Sequence, residues 1–123
     1  MSEITQKPWG AYIDHFRTPD CVFKTLVIQS GQSLSYQVHE DRSEVWFISE
    51  GVATIKTSMH GDETALTDYM MSQLNKGDYI FIQRGTAHQI ANNGDNELHI
   101  HEMQFGNCSE EDITRLQDPH NRQ

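Results

Sequence analysis

SLSYQVHEDRSEVWFISEG, residues 33–51, decides how this chain is read. Gln37 and His39 point to one side of an extended strand while Val38 points to the other, because side chains alternate with a period of two. Six polar side chains, Gln37, His39, Glu40, Asp41, Arg42 and Glu44, fall within positions 37–44, and the apolar run VWFI (45–48) follows at once. Such neighbours fit a strand that turns both polar and core side chains toward one interior. Glu44 lies five positions past His39, out of phase for a single straight strand. The intervening EDRS (40–43) offers a turn or bulge that brings the Glu44 carboxylate back to the side of His39. Gly51 closes the second strand.

The same punctuation runs through the chain. Short apolar runs at 21–28, 33–39, 44–48, 52–57, 78–82, 88–91 and 98–105 are separated by SG (30–31), EG (50–51), KGD (76–78), RG (84–85) and NNGDN (92–96). That rhythm predicts an all-β sandwich or barrel. Two segments break it. Residues 58–75 form a polar insert, expected as a hairpin tip or a mobile flap. In the tail, Ser109 precedes Asp112 by three positions, and Ile113 and Leu116 are spaced for one helical face, which predicts a short C-terminal helix or turn. The architecture that fits is an antiparallel jelly-roll barrel of the cupin kind (a double-stranded β-helix), whose mouth can hold a ligand.

The 123 residues form one domain, 1–123, with room for a single core. A formal charge of −9 at pH 7 argues against nucleic acid or an anionic membrane as partner. An anionic ligand would need a local cluster of Lys and Arg set against that field. No run of 18 apolar residues occurs and the N-terminus lacks the apolar core of a signal peptide, so a cytoplasmic protein is expected. Cys21 and Cys108 form no CxxC pair and are expected as free thiols. A homodimer is expected because small jelly rolls must cover exposed sheet edges.

Gln37, His39 and Glu44 find an echo far along the chain, where Gly77 and Gly85 frame a strand and His88 enters a new one. One amide oxygen, two imidazoles and one carboxylate make a mixed nitrogen and oxygen set. It suits zinc, iron or manganese, and the absence of cysteine speaks against a structural zinc site. On spacing alone, a polar strand ending in His and Glu is more often a solvated face than a ligand set.

A resemblance adds weight to the metal. GQSLSYQVHEDRSEVWFISEG (31–51) and GDYIFIQRGTAHQIAN (77–92) resemble the two cupin motifs. KPWGAY (7–12), SLSYQVHEDRSEVWFI (33–48) and EMQFGNCSEEDITRLQD (102–118) are similar, in order, to the cupin domain of the mannose-6-phosphate isomerase family. The closer likeness is to the type II isomerase domain often fused to mannose-1-phosphate guanylyltransferase. The resemblance places metal ligands at Gln37, His39, Glu44 and His88, with zinc the first expectation for the divalent ion and manganese or iron next. The family's usual further histidine is Asp41 here, and its usual proline is Gln83.

Aldose–ketose isomerisation moves a proton between C1 and C2, so a carboxylate or imidazole must carry it. On the strand LHIHEMQF (98–105), alternation puts Glu102 and Gln104 on one face with Leu98 and Ile100, and His99 and His101 on the other. The resemblance favours Glu102 and Gln104, and adds Asp41 as a third catalytic candidate. For the phosphate of a phosphosugar, Arg84, Arg42 and Lys7 are the substrate-binding candidates; Lys24 is also near the motifs, and Arg115 and Arg122 lie in the tail. Trp9 and Trp46 read as core or interface aromatics. The resemblance implies a metal-dependent sugar-phosphate isomerase acting on mannose 6-phosphate. A non-catalytic sugar- or sugar-nucleotide-binding cupin and an iron-dependent dioxygenase stand as alternatives.

Overall fold

A computed structural model describes residues 3–120. The chain folds as β1 (Glu3–Lys7), β2 (Gly10–Thr18), β3 (Cys21–Ile28), β4 (Tyr36–Val38), β5 (Arg42–Glu50), β6 (Ala53–Ser58), β7 (Met70–Leu74), β8 (Tyr79–Ile82), β9 (Ala87–Ala91), β10 (Leu98–Gly106) and β11 (Thr114–Gln117). A single 3-10 turn, Glu63–Leu66, is the only helical element among the described residues. The strands form two sheets, β1-β2-β3-β10-β5-β8 and β11-β4-β9-β6-β7, with every pairing antiparallel. The expected jelly-roll barrel is the fold observed.

Alternation sorts each strand into an inner and an outer face. On β3, Leu26 and Ile28 are buried, and they continue across the sheet into Ile100, Leu98 and Ile48. From the second sheet Ile55 and Ile90 pair side by side and complete one apolar cluster that also takes in Trp9 and Trp46. A smaller cluster of Tyr36, Val38, Ala65 and Ala87 lies beneath the insert. Both cysteines are free thiols. No helix among the described residues is long and apolar enough to cross a membrane.

The insert is a hairpin: β7 pairs with β6, and the 3-10 turn at its tip is capped by Asp62, whose carboxylate accepts from the Thr64 N–H at 3.0 Å. Of the expected C-terminal helix or turn, the chain takes the turn and follows it with a strand. Residues 109–112 form a turn, with Asp112 N–H donating to Ser109 O, and 114–117 is a strand paired to β4. The three-residue spacing of Ile113 and Leu116 was a weak helical signal, and the open edge of β4 outweighs it by offering backbone partners.

The outer face of the six-stranded sheet carries a continuous apolar row. Phe16, Phe23, Met103, Val45 and Phe81 lie opposite one another across five strands. Phe16 and Phe81 are each 55% exposed, and Tyr79 beside them is 71% exposed.

Candidate functional site

Inner-facing positions of the large sheet change character along each strand. On β10, Leu98 and Ile100 are followed by Glu102 and Gln104; on antiparallel β5, Glu44 and Trp46 come before Ile48. Register aligns the polar halves: Glu102 opposes Trp46 and Lys24, and Gln104 opposes Glu44. The opposite sheet does the same, with Gln37 opposite His88 and the apolar pair Ile55 and Ile90 farther in. A polar layer therefore closes one end of the barrel over an apolar floor. A pocket of about 120 Å³ opens there, walled by Lys24, Gln37, His39, Glu44, His88 and Glu102 among others.

His39, Glu44 and His88 each bring one ligand atom within 4.8 Å of the other two, and all three are buried. The ring nitrogens can be assigned by their partners. His39 Nδ1 lies 2.6 Å from the Asp112 carbonyl, and His88 Nδ1 lies 2.9 Å from the Thr86 carbonyl. A carbonyl only accepts, so each Nδ1 carries the hydrogen and each Nε2 presents a lone pair. Those lone pairs face Glu44, at 3.3 Å from Oε2 for His39 and 3.8 Å from Oε1 for His88. Burial, reinforced by the Arg42 and His88 charges, lowers the His39 pKa to about 3, and burial lowers His88 to about 4. Neutral imidazoles oriented by backbone carbonyls around a carboxylate are the donors a divalent cation requires. Nitrogen and oxygen donors without thiolate fit zinc, manganese or iron. Gln37 is half-buried in the same wall, with its amide Nε2 donating to Ser35 Oγ at 3.2 Å.

A second carboxylate adjoins the first. Trp46 Nε1–H is shared between Glu44 Oε1 and Glu102 Oε1, each at 3.0 Å. Gln104 Nε2 donates to Glu102 Oε2 at 2.9 Å, and Lys24 Nζ stands 3.6 Å from the same oxygen. Burial first, and then the neighbouring Glu44 charge, raises the Glu102 pKa. Gln104 Oε1 is the one fully buried side-chain polar atom without a partner among the described residues, an acceptor left over at the pocket wall.

All four expected ligand residues line this pocket, together with Glu102, Gln104, Arg42 and Lys7. Asp41 and Arg84 do not. Asp41 is exposed in the turn between β4 and β5, where its backbone N–H donates to Asp112 Oδ2. Arg84 is exposed in the turn at 83–86, which is fastened by Gly85 N–H to His39 O and by Thr86 N–H to Gln83 O. Both are exposed turn residues whose backbone is engaged in hydrogen bonds. Lys24 and Arg115 reach the pocket instead. Lys24 was legible as the one charged residue on the inner side of an apolar strand, whereas Arg115 was hidden by the helical reading of the tail. Arg122 lies outside the described residues. Trp46 is in the core as expected, and its indole also ties the two carboxylates together, as the two-residue spacing from Glu44 allows. Asp112 was not anticipated: its carbonyl orients His39, and its carboxylate accepts from the Glu40 and Asp41 N–H groups at 2.9 and 3.0 Å. His99 and His101 take the outer face, where His101 bonds Thr25 Oγ1 and Ser49 Oγ.

The chain and its fold have relatives. The xanthan biosynthesis protein XanB of Xanthomonas campestris is 31% identical over 117 residues, covering 94% of this chain and 23% of XanB. Mannose-1-phosphate guanylyltransferase of Escherichia coli K12 is 29% identical, covering 94% of this chain and 22% of the enzyme. The chain thus spans less than a quarter of the length of these relatives. Among solved structures, the capsular polysaccharide assembling protein CapF of Staphylococcus aureus superposes with a TM-score of 0.80 at 17% identity, over 95% of this chain and 32% of CapF. An oxalate decarboxylase of B. subtilis superposes with a TM-score of 0.73 at 13% identity, over 93% of this chain and 30% of the enzyme. Residues 1–118 match the family described as mannose-6-phosphate isomerase C-terminal, and the chain belongs to that family as a cupin domain.

Proposed function

We propose that the pocket is a metal-dependent site for a phosphorylated sugar, and that it interconverts an aldose phosphate and its ketose in the manner of mannose 6-phosphate and fructose 6-phosphate. The observation that carries this reading is the pairing, in one pocket, of a three-donor metal set with a separate carboxylate, Glu102, whose pKa is raised. His39, Glu44 and His88 would hold the ion, which supplies polarisation of the sugar carbonyl when bound. Glu102 is the group to take the proton from C2 and return it to C1, because it is a carboxylate tuned toward neutrality by burial and by Glu44. Gln104 orients Glu102 through Nε2 and keeps Oε1 free to accept from a sugar hydroxyl. Lys7, Lys24 and Arg115 supply the positive wall that a phosphate needs in an acidic chain.

The test is turnover of mannose 6-phosphate with zinc, manganese or ferrous iron added to the metal-free protein, alongside Glu102→Gln. The reading expects metal-dependent fructose 6-phosphate formation that falls by a factor of about 10² or more in the variant. Absence of turnover with every metal refutes the isomerase. Arg42 favours a second reading, a sugar-binding cupin without turnover, because its guanidinium already contacts two of the donor atoms. Binding of the phosphosugar without conversion would select it.

A further inference from the structure

Arg42 opens β5 and shares the inner face with Glu44 and Trp46. It is 7% exposed, and its guanidinium makes two contacts at the heart of the site. Nη2 donates to His39 Nε2 at 2.9 Å, and Nε donates to Glu44 Oε2 at 3.1 Å. Those acceptors are ligand atoms of the candidate metal set. With the His39 hydrogen on Nδ1, Nε2 presents a lone pair, and both it and Oε2 accept from Arg42, yet they face each other at 3.3 Å. Two lone-pair atoms approach so closely when a shared cationic donor sits between them, and Arg42 is that donor.

We propose that Arg42 is a built-in competitor for the metal. Its guanidinium holds the donor atoms in the metal-free protein, and a divalent cation enters only as the guanidinium leaves. The inference rests on the reading that His39, Glu44 and His88 bind a metal. A lone pair cannot serve an N–H donor and a metal ion at once, so the two occupants exclude each other at His39 Nε2. Observed metal affinity is then reduced by the fraction of molecules in which Arg42 is seated. The displaced side chain stays in the pocket wall, where it adds a planar fork of donors beside Lys24 and Arg115. The metal and an anionic ligand would then bind with positive coupling.

The experiment is cobalt(II) titration, followed by visible absorption, with zinc competition, for the parent protein, Arg42→Met and Arg42→Lys. Methionine keeps the length without donors; lysine keeps the charge but cannot donate from two separate nitrogens. The proposal expects tenfold or greater tightening for Arg42→Met and intermediate tightening for Arg42→Lys. Equal or weaker binding by Arg42→Met overturns it while leaving the metal reading intact. Tightening by Arg42→Met with Arg42→Lys equal to the parent also overturns it, because charge repulsion alone would then account for the effect. Failure of all three proteins to bind either ion overturns the metal reading and the proposal together. A measurement on the parent protein guards against variants that misfold: the Arg42 Nε–H resonance, protected in the metal-free state, is expected to shift and exchange faster as zinc is added. Zinc binding that leaves this resonance unchanged overturns the proposal.

Discussion

Acidifying the metal-free protein should unfold it across a window set by its two buried site histidines. His39 and His88 have folded-state pKa values of about 3 and about 4, both lowered first by burial, against an ordinary value near 6.5. Between those limits the unfolded chain binds protons that the folded site refuses. Their contribution is therefore complete above pH 6.5 and is lost as pH falls. Each histidine contributes about 1.4 kcal/mol per pH unit, so the pair gives a slope near 2.7 kcal/mol per unit from about pH 6 to pH 4.5. Over that unit and a half the loss is about 4 kcal/mol, close to the whole stability of a small domain. Glu102 acts with the opposite sign: its pKa is raised above 4.5, so its stabilisation is present at low pH and fades as pH rises. It opposes the histidine slope wherever the pH lies between its ordinary and its raised pKa. Urea unfolding followed by the fluorescence of Trp9 and Trp46, at half-unit pH steps with a chelator, measures the slope. His88→Gln should roughly halve it. A stability that stays flat between pH 7 and pH 5 would refute the assignment of two neutral buried imidazoles.

Other consequences are equally direct. Trp46→Phe removes the single N–H shared by Glu44 and Glu102; counted as one charge-assisted bond, the loss is about 1.5–3 kcal/mol in urea unfolding. Gly106→Ala should be worse, because φ is +113° and the new Cβ would collide with the Asp41 carbonyl; a lowered Tm together with weakened metal binding is expected, since the same turn leads to Arg42 and Glu44. We also propose that a second copy covers the outer apolar row of Phe16, Phe23, Met103, Val45 and Phe81, whose ends Phe16 and Phe81 are exposed. Phe81→Lys should shift the sedimentation coefficient from dimer to monomer, and a parent protein that sediments as a monomer would refute the interface.

The sequence disclosed the barrel because alternation and turn residues are local signals. Counting in twos from Leu98 set Glu102 and Gln104 on one face and His101 on the other, and the family resemblance chose the first as the inner one. The insert and the tail were harder. Residues 70–74, MMSQL, carry no alternation that marks a strand, and all but one are exposed; β6 makes them a strand by pairing. Residues 114–117 become a strand because β4 has an open edge, which no local pattern announces. Arg115 and Asp112 reach the site only through that pairing. Asp41 and Arg84 looked promising because they neighbour His39 and His88 in sequence. Proximity along a turn does not set what lines the pocket, and both residues are exposed outside it.

The most direct test of the account is crystallographic: anomalous scattering at the zinc edge from crystals grown with zinc. One strong peak is predicted, at about 2.0–2.2 Å from His39 Nε2, a Glu44 carboxylate oxygen and His88 Nε2, with the Arg42 guanidinium withdrawn from His39. Zinc bound only at surface histidines, with Arg42 still seated between His39 and Glu44, would contradict the metal site.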